Sequence, residues 1–198
     1  MVTLPSSLLY IPVGEKGMEI RPRKLDGAYE IHLAPVRDER GYFIRTYDEV
    51  VFRERGLVVS WAQENQSLSD RRGILRGLHF QRPPHAETKL VRVVSGAIFD
   101  VFVDLRKASP TYGQWDSVDL SMDNHTMVYI PKGFAHGYCA VTDAAVVVYK
   151  VDMCYAPEAE RGLRWDDETL NIRWPIDKPF LSAKDKALPA FKDFVSPF

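Results

Sequence analysis

The sequence predicts an all-β chain, a jelly-roll sandwich or barrel with a few short helices. Three observations carry that expectation. Short runs rich in β-branched and aromatic residues recur along the chain. Pro, Gly and Asn punctuate them about every ten positions. Helix-forming stretches are brief, and no internal repeat or low-complexity tract points to another architecture. Barrels of this kind carry ligands in their mouths or interiors.

In chain order, Tyr42 to Tyr47 reads as a strand, Asp48 to Arg55 as a short helix and Val58 to Ala62 as a second strand. Lys89 to Ser95, Gly96 and Ala97 to Leu105 read as two strands around a turn. In the second of these Ala97, Phe99, Val101, Val103 and Leu105 form one apolar face, while Asp100 and Asp104 mark the other. Trp115 to Leu120, Thr126 to Ile130 and Ala144 to Val151 add strands, and Ala183 to Ala187 a short helix. With 198 residues the chain can build one substantial core, so 1–198 is read as a single domain.

Lysine and arginine number 26 against 27 acidic residues. No bulk positive field therefore invites nucleic acid or an anionic membrane, and an anionic partner must be held locally. The two cysteines, Cys139 and Cys154, lack metal-ligand spacing and read as buried free thiols. The N-terminus carries no basic leader with a long apolar region, and the longest apolar run, Ala144 to Tyr149, is far short of the ~20 residues that span a bilayer. A cytoplasmic enzyme is the expectation.

Two segments carry chemistry. The stretch from Gly73 to Pro84 places Arg76, His79 and Gln81 within six residues, just before the strand opening at Lys89. A lone histidine in such a run is more often a core side chain, but this one has polar company. Were the segment regularly extended, Arg76 and Leu78 would share one face, and Gly77, His79 and Gln81 the other. The second segment, Pro131 to Tyr138, has Pro-x-Gly-x-x-His spacing, which sets a turn before His136 at a strand start.

That spacing resembles the second motif of the cupin superfamily, whose double-stranded β-helix often holds a metal. The first cupin motif needs His-x-His, so that two imidazoles leave one strand on the same side; this chain has His79-Phe-Gln81, and Ala140 where metal cupins carry asparagine. The resemblance therefore implies a cupin barrel without a metal. His85 and Glu87 follow Pro83-Pro84 and read as an exposed loop.

A closer resemblance spans nearly the whole chain. It runs through Asp38-Glu-Arg40-Gly-Tyr-Phe43, Gln63-Glu-Asn65-Gln-Ser67, Leu75-Arg-Gly-Leu-His79-Phe-Gln81, Lys89-Leu-Val-Arg92, Ile130-Pro-Lys-Gly-Phe-Ala-His136-Gly137, Tyr149-Lys150, Trp165-Asp-Asp167 and Leu181-Ser-Ala-Lys184-Asp185. With these motifs in order, the sequence resembles the dTDP-4-dehydrorhamnose 3,5-epimerase family. The resemblance implies inversion of carbons 3 and 5 of a nucleotide-linked 4-keto-6-deoxy sugar, with no cofactor, in a homodimer whose subunits exchange N-terminal strands.

It also implies roles. A proton beside a ketone is weakly acidic, so its removal needs a base of near-neutral pKa, a cation at the developing enolate oxygen and an acid on the opposite face. His79 matches the base, Asp185 its orienting partner, Lys89 the enolate-facing cation and Tyr149 the proton donor. Asp100 and His136 match positioning residues. Arg76 and Arg40 match diphosphate contacts, because a planar guanidinium grips phosphate with two bonds, and Asn65 a further phosphate-side donor. Gln63, Phe43 and Tyr155 match positions around the nucleotide. Arg45 departs from the pattern, standing where the rhamnose-pathway enzymes commonly have an acid; a base contact there would change sign. Three alternatives stand beside this reading: a single-centre epimerase or one using another nucleotide sugar, a metal-dependent cupin, and a non-catalytic sugar-binding cupin.

Overall fold

The computed structural model describes residues 17–198, so the N-terminal stretch read above for a leader lies outside the described residues except for Gly17. The chain builds strands β1 (Met18–Pro22), β2 (Tyr29–Leu33), β3 (Val36–Asp38) and β4 (Gly41–Phe43), helix α1 (Glu49–Glu54), then β5 (Gln63–Ser69), β6 (Leu75–Gln81), β7 (Lys89–Ser95) and β8 (Ala97–Asp104). There follow β9 (Trp115–Ser121), β10 (Thr126–Ile130), β11 (Phe134–Ala140), β12 (Ala145–Val151), β13 (Glu160–Gly162) and helix α2 (Ala183–Lys186). Strand order is β1-β2-β10-β7-β12-β5 in one sheet and β13-β6-β11-β8-β9 in the other, with β3-β4 a separate hairpin. All pairings within these sheets are antiparallel, and the jelly-roll expectation holds. Among the described residues no helix is long and apolar enough to cross a membrane.

The sandwich is buried on both faces of its central strands. Val91 and Val93 of β7, Ile98 and Phe102 of β8, and Val128 and Ile130 of β10 meet between the sheets. Leu90, Met127 and Tyr129 point the other way, under a cover that includes Phe52 of α1. Asp48 starts that helix by accepting from the Val50 and Val51 amides. On the far sheet Leu78, Phe80, Val101 and Val103 are covered by the C-terminal segment through Leu163, Leu170, Phe194 and Phe198.

Several expectations change. Of the strand expected over 42–47 only Gly41–Phe43 forms, and 58–62 is no strand; its Val58, Val59 and Trp61 pack as a cover on the outer cluster, which demands apolar residues without ladder bonds. The strands β7 and β8 do not pair with each other, because the chain crosses between the sheets at Gly96. The face of β8 carrying Asp100 and Asp104 is not solvated. It looks into the sandwich, and both carboxylates are fully buried. Cys139 is buried as expected, whereas Cys154, in the loop after β12, is a free and exposed thiol.

Candidate active site

Toward the edge formed by β5, β12 and β7 on one sheet and β13, β6 and β11 on the other, the inner faces turn from apolar to polar. A cavity of about 510 Å³ opens there, lined among others by Ser67, Arg76, His79, Lys89, His136 and Tyr149. A second lobe of about 440 Å³ shares His79, Lys89 and Tyr149 with it and adds Gln63, Asn65 and Tyr155. His79 comes from one sheet and Tyr149 from the other.

Arg76 and His79 face the same cavity, contrary to the faces expected for a regular strand. The ladder between β6 and β11 pairs His136 with His79 but Tyr138 with Arg76, so β6 carries one extra residue and its alternation reverses there. Glycine makes this possible: a Cβ on Gly77, at φ +125, would lie 2.5 Å from the Gly137 Cα. Arg76 then reaches back to donate to the Leu68 carbonyl at 2.8 Å.

The His79 Nε2 and Asp185 Oδ1 are 2.7 Å apart, with the His79 side chain 27% exposed toward the cavity. Burial pushes the Asp185 carboxyl up, but the imidazole, the Gly77 amide and the Ser182 hydroxyl outweigh it and hold the carboxyl below its ordinary range. An ionised Asp185 accepts from Nε2–H and leaves Nδ1 with its lone pair, the tautomer a base requires. Ser182 also caps α2 by accepting from the Asp185 amide at 3.0 Å, which fixes the carboxylate under the ring.

A second pair lies beside the first. His136 Nε2 is 2.8 Å from Asp100 Oδ2, and the other Asp100 oxygen is buried without a hydrogen-bond partner among the described residues. Burial drives the Asp100 carboxyl above its usual range against the pull of His136 and Lys89. The Lys89 ammonium sits 6.0 Å from the Tyr149 ring centre. Burial, then the Glu87 carboxylate, raise the Tyr149 phenol above its ordinary value, which favours the protonated form a donor needs.

The residues expected on the nucleotide and diphosphate side divide into two groups. Gln63, Asn65 and Tyr155 line the second lobe, where the Tyr155 amide donates to Gln63 Oε1 at 2.7 Å. Arg40, Phe43 and Arg45 do not line either lobe. Arg40 bonds to Asp38 across the β3–β4 turn, and Phe43 on the same hairpin is 59% exposed. Arg45, expected near the base, bonds to Asp48, the acid that caps α1, at 3.2 Å.

Two cavity acids escaped the sequence reading. Glu87, expected in an exposed loop, lines the second lobe, with its carboxylate 3.0 Å from Lys89 Nζ. Its signal was the two-residue spacing to Lys89, which turns both side chains inward. Glu160 accepts from the Tyr155 hydroxyl at 2.6 Å and pairs with Lys184 at 2.5 Å. The adjacency of Lys184 to Asp185 was its only hint.

The dTDP-4-dehydrorhamnose 3,5-epimerase family matches over residues 22–193. A dTDP-4-dehydrorhamnose 3,5-epimerase of Methanothermobacter thermautotrophicus is 50% identical over 165 residues, 82% of this chain and 88% of that one. The Bacillus anthracis dTDP-4-dehydrorhamnose 3,5-epimerase, solved with TDP and PPi bound, superposes with a TM-score of 0.86 at 43% identity, covering 88% of this chain and 99% of that one. A Legionella pneumophila dTDP-6-deoxy-D-glucose-3,5-epimerase in complex with dTDP-4-keto-L-rhamnose gives a TM-score of 0.85 at 38% identity, covering 90% and 95%.

Proposed function

This chain belongs to the dTDP-4-dehydrorhamnose 3,5-epimerase family, and from that premise we propose that it converts dTDP-4-dehydro-6-deoxy-glucose to dTDP-4-dehydro-L-rhamnose by proton transfers at carbons 3 and 5. The observation that carries this is the convergence of His79 and Tyr149, from facing sheets, on one cavity that also holds Lys89. Inversion takes a proton from one face of the sugar and returns one to the other, so base and acid belong on opposite walls.

In this mechanism His79 Nδ1 takes the proton beside the ketone, and Asp185 holds the resulting imidazolium. The Lys89 ammonium faces the enolate oxygen, where a preorganised cation acts more strongly than in water. Tyr149 delivers a proton to the opposite face. His136 and Asp100 position the sugar. Arg76 and Asn65 hold the diphosphate, and Gln63 and Tyr155 the nucleoside. The chemistry consists of proton transfers alone and calls on no cofactor or metal.

Residues 1–198 act as one domain, in the cytoplasm, as a homodimer. Supporting the dimer, the β3–β4 hairpin presents Tyr42 and Phe43 exposed, with Arg40 beside them and away from this chain's own cavity. Exchange of the hairpin would carry Arg40 and Phe43 to the partner's nucleotide. Ultracentrifugation that found a concentration-independent monomer of 22.6 kDa would contradict it. The enzymatic test is proton NMR in deuterium oxide with dTDP-4-keto-6-deoxy-glucose. The signals at carbons 3 and 5 should both disappear at enzyme-dependent rates; loss at carbon 3 alone would mark a single-centre epimerase, and loss at neither would refute the proposal.

A further inference from the structure

Lys89 opens β7 with its ammonium facing both lobes of the cavity, and its side chain is only 12% exposed. A desolvated ammonium needs a compensating anion to stay charged. The nearest carboxylate is Glu87, two residues earlier on the same side of the chain, 3.0 Å away and 11% exposed. Glu87 is not left to find its own position. Its second oxygen accepts from Gln81 Nε2 at 3.1 Å. Gln81, itself buried, is clamped at both ends: Nε2 also donates to the His85 carbonyl at 3.0 Å, and Oε1 accepts from the Ala156 amide at 2.6 Å. One rigid chain of bonds therefore runs from the loop after β12 through Gln81 and Glu87 to the Lys89 ammonium.

We propose that Glu87 is the positioning residue for Lys89, holding its ammonium charged and aimed at the site where the enolate oxygen forms. This rests on the proposed epimerisation for the role of Lys89, and it places the carboxylate beside the cation rather than against the sugar. Other ionisable groups also face Lys89: Asp100 from β8, Tyr149 from β12, His79 from β6, His136 from β11 and Glu160 from β13. Asp100 is already committed to His136, and Glu160 to Lys184 and Tyr155, so neither replaces Glu87.

The test begins without substrate. In protein labelled at the lysine ε-carbon, with the Lys89 resonance assigned through Lys89→Met, the pH midpoint of that resonance is compared between wild type and Glu87→Gln. The amide keeps the shape of Glu87 and a bond to Gln81 but removes the charge, so the midpoint should fall by about one pH unit. Steady-state exchange then reads the catalytic consequence: kcat for deuterium incorporation should drop about tenfold to a hundredfold with KM within about twofold, and the alkaline limb of the rate should move to lower pH. Glu87→Asp, which keeps the charge but withdraws it by one methylene, serves as the second variant and decides the matter should the amide fail to fold. It should lose rate while keeping most of the wild-type limb. An unchanged midpoint overturns the proposal, as does wild-type kcat in both variants. A raised KM at constant kcat overturns it also, by making Glu87 a substrate contact. Because the titration needs no sugar, a wild-type protein inactive on 4-keto sugars would sink the proposed function without touching this result.

Discussion

Two histidine–carboxylate pairs stand side by side in this cavity, His79 with Asp185 and His136 with Asp100, their histidines directly opposed across β6 and β11. They share composition and separation, 2.7 Å against 2.8 Å, and differ in surroundings. The Asp185 carboxyl is held below its ordinary range by His79, Gly77 and Ser182 against its burial and stays ionised, whereas Asp100 is wholly buried, with one oxygen unpartnered among the described residues and its proton affinity raised. An ionised carboxylate supports the imidazolium formed when its histidine takes a substrate proton. One pushed toward neutrality gives its histidine less of that support. Residue type alone gives these pairs the same task; in the proposed mechanism their environments suit the first to proton abstraction and the second to positioning.

The largest expected effect separates the histidines. His79→Asn should lower deuterium incorporation at both carbons by about 10²–10⁴-fold. His136→Asn should cost about tenfold and act as much on KM as on kcat, since a positioning bond contributes to the bound sugar before and during reaction. Equal losses in the two variants, measured by exchange NMR, would break the comparison.

The carboxylates should diverge in stability. Asp185 is depressed in the folded protein, so its contribution is present above the unfolded value and is lost as pH falls through the folded one. Asp185→Asn should therefore melt lower at pH 7, by about 3 °C, with the gap closing below about pH 4. Asp100 is raised, so its ionised form costs stability as pH rises above the unfolded value. Asp100→Asn should hold or raise Tm at pH 7 and match wild type in acid. Thermal melts across pH read both signs. Asp104, four residues along the same buried face, sharpens the contrast. Although burial opposes it, bonds from Arg106, Ser109 and Thr111 bring its pKa down to about 2. Asp104→Asn should lower Tm at pH 7, the opposite of Asp100→Asn, and it should leave exchange per folded molecule unchanged.

Smaller effects are expected elsewhere. Arg45→Glu places a like charge against Asp48 and should cost about 0.5–1 kcal/mol by denaturant unfolding. Preference among nucleotide sugars, compared in the same variant, reads whether Arg45 also meets the base. Dialysis against a strong chelator should leave exchange unchanged; activity that vanished and returned with one divalent ion would mean a metal takes part.

The sequence disclosed the strands that are β-branched and flanked by turns, such as β7, β10 and β12, because their signal is local. Strands β1, β2, β3, β5 and β13 were missed: β5 alternates Gln63, Asn65 and Ser67 inward, so a cavity wall looks like a polar loop. The same inversion affected β8, where Asp100 and Asp104 point into the sandwich. Motif matches brought His79, Lys89, Tyr149, His136 and Asp185 to one cavity despite separations of up to 106 residues. They did not disclose the reversal at Gly77 that turns Arg76 inward, since a one-residue bulge has no pattern of its own. Glu87 was hidden by Pro83-Pro84, which suggested solvent where the chain already descends into the cavity.

The central claim, that His79 takes the proton and Tyr149 returns one on the other face, meets its most direct test in Tyr149→Phe. The variant keeps the ring that packs on the barrel and deletes only the hydroxyl. Exchange and net inversion are followed together by NMR in deuterium oxide, at carbons 3 and 5 separately. Enolate formation by His79 should persist, so isotope exchange should survive while inversion falls by about 10²-fold or more, with carbon 5 the more affected centre. Inversion at the wild-type rate in Tyr149→Phe would contradict the account.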